Sequence, residues 1–186
     1  MTGRKISGKG CRMKHALLLP AFAGLAALAA CTTPAPLVTN CPNVAVLEQG
    51  SSLTEFLPGR DDVAAQITQA KITGVAGSCT LVKNKKHHFL QVVFQAGFAA
   101  TNGPANTSQS LALPYLVSIS QGDDIISVSE GTIVLNFDGN ASTAAAASKP
   151  VTLKFPDRPD TAMTDVLVSF HLTPDQLAYN ASHQTP

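Results

Sequence analysis

The chain has 186 residues, of which 45% are hydrophobic, 13% charged and 5% aromatic, with no Trp. So much apolar content with so little charge excludes wholesale disorder, and the length suits one domain with its own core. The formal net charge of +1 hides a split: Arg4, Lys5, Lys9, Arg12 and Lys14 sit in an acid-free leader, leaving 13 − 5 = 8 basic residues against 12 acidic ones, or −4. That balance argues against a nucleic-acid partner, which needs a concentrated positive face.

Residues 1–30 read as an export signal. A basic stretch runs from Arg4 to Lys14, with Met13 as an alternative start, and an apolar run follows from Ala16 to Ala30, broken by Pro20 and Gly24. The positive segment favours the cytoplasmic side while the apolar one partitions into the bilayer. At about 15 residues the run is shorter than the roughly 20 that a permanent membrane-spanning helix needs. It ends in Leu28-Ala29-Ala30-Cys31, which resembles the lipobox of bacterial lipoproteins. The resemblance implies a diacylglyceryl thioether on Cys31, cleavage after Ala30, and acylation of the new amine by a chain such as palmitate. Two or more chains anchor stably where one does not. The plainer reading is a secretory leader with an incidental cysteine. Thr32 stands where an Asp would resemble the inner-membrane retention signal, so the resemblance points to the outer membrane, facing the periplasm.

Cys11 leaves with the leader and Cys31 is consumed by lipid, so Cys41 and Cys79 remain. In an oxidising compartment such a leftover pair favours a disulfide. The rival reading is a metal pair, which requires further ligands at close spacing; no C-x-x-C is present. Residues 31–40 form a short Pro-containing tether that reaches only about 30 Å when extended, holding the domain (41–180) close to the membrane.

Beyond Cys41 most signals have period two. Val44 to Leu47 is a short apolar run, and Leu53, Phe56 and Leu57 end at Pro58-Gly59. Val63, Ala65 and Ile67 alternate, then Ala70, Ile72 and Gly74 in the opposite phase, which predicts a bulge near Thr68-Gln69. Leu90, Val92, Phe94, Ala96 and Phe98 make the clearest half-buried strand. Tyr115, Val117 and Ile119 turn through Gln121-Gly122-Asp123-Asp124 into Ile126 and Val128. The phase changes at Glu130-Gly131 to Ile133, Leu135 and Phe137. The Ala-rich stretch from Ala141 to Ser148 reads as a surface loop. Val151, Leu153 and Phe155 precede Val166, Val168 and Phe170. Thr173, Pro174 and Gln176 then form a capping box for a helical turn, in which Leu177 and Tyr179 would seal an end of the domain. Residues 181–186 read as a flexible tail. Seven to nine strands without a long amphipathic helix predict an all-β fold, a single antiparallel β-sandwich of immunoglobulin/fibronectin-like architecture with a short C-terminal helical turn.

Several patterns in order resemble an uncharacterised family of proteobacterial lipoproteins: Cys41-Pro42; Leu53-Thr54-Glu55-Phe56-Leu57-Pro58-Gly59; Gly77-Ser78-Cys79; Gly103-Pro104-Ala105; Pro114-Tyr115; and Leu172 to Asn180. The resemblance implies a secreted, anchored domain with Cys41 and Cys79 bonded, and brings no catalytic residues with it.

The strongest local charge is Lys83-Asn84-Lys85-Lys86-His87-His88. Its functional reading is contact of Lys83, Lys85 and Lys86 with anionic headgroups; its plainer reading is a solvated hairpin tip. Adjacent strand residues such as His87 and His88 point to opposite faces and chelate poorly, so no metal is expected there. Asp61-Asp62 and Asp123-Asp124 flank turns, where Asp is expected for backbone reasons. Asp138-Gly139-Asn140 is too thin a ligand set for calcium. Neither a nucleophile elbow nor a glycine-rich phosphate cradle is present, and no cofactor is expected. The sequence therefore reads as a membrane-anchored binding or envelope-structural module rather than an enzyme, with the lipid bilayer as partner through Cys31. A small hydrolase with a loop-assembled site and an accessory subunit of an envelope complex, using an exposed strand edge, are the alternatives.

Overall fold

In a computed structural model, which describes residues 40–83 and 88–183, the clearest alternation in the sequence forms the middle of a sheet. Leu90, Val92, Phe94, Ala96, Phe98 and Ala100 on β4 (His88–Asn102) all turn inward and are buried. β3 (Gln66–Lys83) runs antiparallel beside it along its full length, and β2 (Ser52–Phe56) pairs with the first part of β3. The other edge of β4 is shared by β7 (Thr143–Ala147), which takes Gly97 to Thr101, and β8 (Val151–Pro156), which takes Phe89 to Phe94. Ser148 bridges the gap between these two. Its N–H donates to the Ala96 carbonyl at 2.8 Å, and its Oγ accepts from the Ala96 N–H at 3.0 Å. Both ladder groups of Ala96 are thus satisfied where neither strand reaches, as a buried backbone requires.

The second sheet has the order β1-β9-β5-β6, from β1 (Asn43–Val46), β9 (Thr164–Phe170), β5 (Ser110–Gln121) and β6 (Asp124–Asn136). Its pairs are antiparallel except β1 with β9, which run parallel. The described residues therefore form an all-β sandwich of nine strands in two sheets, with one short C-terminal helix. The core lies between the sheets. The Phe98 ring of one sheet meets Tyr115 at 5.1 Å and Phe170 at 5.7 Å on the other, in tilted and edge-on geometries that aromatic rings favour.

Four expectations about the strands are corrected. The bulge predicted near Thr68-Gln69 is replaced by two: Ile67 is the extra residue against β2, and Thr73 the extra residue against β4. The second one switches the inward phase from Ala70 and Ile72 to Val75 and Cys79, and Gly74 beside it takes φ +147°, a conformation open chiefly to glycine. Val63–Ala65 is a 3-10 turn instead of a strand start, because the Asp62 carboxylate accepts from the Ala64 N–H at 3.1 Å and caps it. No phase change occurs at Glu130-Gly131: β6 stays in register there, the slip lies at Ile126, and Val128 is exposed. The Ala-rich stretch is strand β7 and not a loop. Alanine occupies both of its faces, so the hydrophobic pattern hides an alternation in which only Ala144 is fully buried.

The helix α1 (Pro174–His183) begins with the expected capping box. The Gln176 N–H donates to Thr173 Oγ1 at 3.2 Å, and the Thr173 N–H to Gln176 Oε1 at 2.9 Å. Tyr179 packs edge-on against Phe56 with centroids 5.2 Å apart, and the buried Asn180 amide donates to the Ser52 carbonyl at 2.8 Å. These two contacts dock the helix on β2. Leu177, predicted to help seal that end, instead faces outward and is half exposed.

Candidate functional site

The chain enters the described domain at a point fixed by three separate interactions. Cys41 and Cys79 are bonded, with Cα atoms 6.1 Å apart, which ties the first described residues to β3 of the opposite sheet. Asn40 Nδ2 donates to Asp157 Oδ1 at 3.0 Å, just beyond the end of β8. Asn43 Nδ2 donates to Asp165 Oδ1 at 2.9 Å, beside the first rung of the β1–β9 ladder.

The registers show what else lies at this end of the sandwich. Pro156 at the end of β8 stands opposite Phe89, one residue from the β3–β4 tip, where Lys83 pairs with His88. Gln121, at the β5–β6 turn, is opposite Thr164 at the start of β9. A 3-10 turn, Pro159–Met163, closes the corner: Thr161 Oγ1 donates to the Pro156 carbonyl at 2.7 Å, and Gln121 Nε2 to the Asp160 carbonyl at 3.1 Å. Between these segments opens a cleft of about 270 Å³, lined by Ile119, Ile126, Phe155, Lys154, Arg158 and Asp160 among others. Lys154 Nζ lies 5.4 Å from the centroid of Phe89, a cation–π contact, and Arg158 pairs with Asp160 at 3.4 Å in an exposed position.

Of the residues singled out from sequence, Cys41 and Cys79 come together as a pair. Lys83 is exposed at the end of β3. The leader, Cys31, the tether as far as Thr39, Lys85, Lys86, His87 and residues 184–186 lie outside the described residues. His171 is exposed and stands 3.4 Å from Glu130. Asp123 and Asp124 belong to the β5–β6 turn, where Gly122 has φ +60°, and Asp138 accepts through its carbonyl from the Ala141 N–H at 3.0 Å, a turn of ordinary kind. His183 is helical and stacks on Tyr179 with centroids 4.0 Å apart.

At the far end, a second cleft of about 330 Å³ lies between α1 and the loop after β2, with Glu55, Arg60, Asp61, Asp175 and Tyr179 on its walls. It lies between the segments from Thr54 to Asp61 and from Thr173 to Tyr179. The Phe56–Tyr179 and Asn180–Ser52 contacts dock α1 beside it. Beside it Arg60 makes a two-pronged bond to Asp62, Nε and Nη2 each 2.8 Å from a carboxylate oxygen. That hydrogen bond holds the Asp62 carboxyl below its ordinary range and raises the Arg60 guanidinium in return. Among the described residues no three His, Cys, Asp or Glu side chains are arranged to hold a metal ion.

Sequence reasoning missed the Asn40–Asp157 bond, which joins residues 117 positions apart and leaves no local signal. It also missed the exposure of Ile125 and Ile126, for which a signal existed: two adjacent apolar residues beside a turn cannot both follow a strand's inward phase. The chain matches no protein-family model, no curated protein and no solved structure.

Proposed function

We propose that this chain is a lipoprotein of the bacterial envelope, held to the outer membrane by acylated Cys31 and facing the periplasm, whose β-sandwich serves as a binding or structural module rather than as a catalyst. Leu28-Ala29-Ala30-Cys31, placed directly after an apolar run of bilayer-seeking length, is the observation that carries this reading. Its support from the fold is the Cys41–Cys79 bridge, a bond suited to an oxidising compartment. The lipoprotein resemblance from Cys41 to Asn180 agrees with both. Lys83, Lys85 and Lys86 would meet anionic headgroups, each contributing about 1 kcal/mol near such a surface.

Fractionation of cells making the full chain or its Cys31→Ser variant, after feeding labelled palmitate, tests the reading. The wild-type protein is expected in the membrane fraction carrying label, and the variant in the soluble periplasmic fraction without it. Equal membrane recovery of the two, or no label on the wild-type protein, would refute the anchor.

A further inference from the structure

Among the described residues, three of the most exposed large hydrophobic side chains gather at the end of the sandwich where the chain enters. They are Ile125, 70% exposed, Ile126, 59%, and Met163, 65%. Their placement follows from local structure. The slip between Ile119 and Ser120 makes Ile126 the extra residue on β6, so Ile125 and Ile126 both escape the inward phase at the tip of the β5–β6 hairpin. Met163 closes the 3-10 turn that Gln121 ties to this hairpin through Asp160. Ile126 also lines the cleft that Lys154 and Arg158 border.

We propose that this end is a membrane-docking face: Ile125, Ile126 and Met163 enter the boundary between headgroups and acyl chains, while Lys154 and Arg158 meet lipid phosphates around them. The inference rests on the lipid-anchor reading and adds an orientation and an insertion surface to it. The lipid surface is the occupant because of where the undescribed chain begins. Cys31 precedes Asn40 by 40 − 31 = 9 residues, a span of at most about 30 Å, and Asn40 is bonded to Asp157 at this same end. A lipid held on Cys31 therefore keeps these three side chains closer to the bilayer than the helix at the other end. Apolar side chains bordered by cations are the pattern of an interfacial surface. Asp123 and Asp124 in the adjoining turn would face the ammonium groups of zwitterionic lipids. Because the apolar contacts of Ile125, Ile126 and Met163 are not screened, insertion is expected to survive high salt, where purely ionic attachment fails.

The chain contains no Trp, so single tryptophans report without background. Full-length protein carrying Ile126→Trp, or Leu177→Trp at the opposite end, is purified in detergent. Each is reconstituted into vesicles of phosphatidylethanolamine and phosphatidylglycerol with brominated acyl chains, then floated on a density gradient. Both substitutions replace exposed side chains and leave the core untouched. Both proteins are expected to float, with the reporter at position 126 shifted to the blue and quenched by bromine at low and high salt, and the reporter at position 177 unaffected. If both float but the two reporters behave alike, the docking face is wrong while the anchor stands. A blue shift at position 126 without bromine quenching would place a second copy or another protein on the tip, and also overturns the proposal. If neither protein floats, the anchor reading falls and the docking face falls with it.

Discussion

Replacing Cys41 and Cys79 together by Ala removes the disulfide that cross-links the entry of the chain beside β1 to β3 of the other sheet. The bridge spans 38 residues of sequence, and the chain-entropy argument gives about 4 kcal/mol for closing a loop of that length in the unfolded chain. A domain of this size is typically stable by about 5–15 kcal/mol, so the loss is a large share of the whole. With a urea slope of about 2 kcal/mol/M, the unfolding midpoint should fall by about 2 M. The structure adds a local consequence. β1 pairs only with β9, through four rungs, so without the bridge the Asn40–Asp157 and Asn43–Asp165 side-chain bonds are what remains of the three interactions that fix the chain's entry. Hydrogen exchange at Asn43 to Val46 should therefore accelerate more than at β5 or β9. A midpoint shift below about 0.5 M, with β1 exchange unchanged, would refute the reasoning: the fold would then hold its first strand by the ladder alone.

Phe98→Ala empties the centre of the core, where the ring touches Tyr115 and Phe170; a loss of about 3–5 kcal/mol is expected in the same urea assay. Asn180→Ala strips the buried donor from the Ser52 carbonyl, so a cost of about 1–3 kcal/mol and faster exchange along α1 should follow; exchange equal to wild type would show that the aromatic contact alone docks the helix. Asp62 has a depressed carboxyl, so its contribution to stability is present above its ordinary value of 3.8 and fades as pH falls through the lower folded value. Asp62→Asn should accordingly narrow the gap to wild type in thermal unfolding as pH drops below about 4, and a gap independent of pH would contradict the pairing with Arg60.

Period-two alternation made the strands of the core legible, because Leu90 to Phe98 and Val166 to Phe170 face one buried layer and must alternate. The capping box at Thr173 was legible for a similar reason: its partners are three residues apart, so the local sequence holds the whole interaction. Features set by distant partners were not. β7 could not be read from its alanines, since a residue that fits both faces carries no phase, and its pairing depends on the open edge of β4. The parallel β1–β9 pair and the Asn40–Asp157 bond join segments more than a hundred residues apart and leave no mark on either. The cysteine pair was legible by counting, while the surface at the β5–β6 tip required knowing which strands end together.

The most direct test of the account is the mass of the amino-terminal peptide of the protein taken from the membranes of cells that make it. The account predicts a peptide beginning at Cys31 and heavier than its sequence by a diacylglyceryl group and a further acyl chain. A peptide that retains the leader, or one beginning at Cys31 with a free thiol, would contradict it.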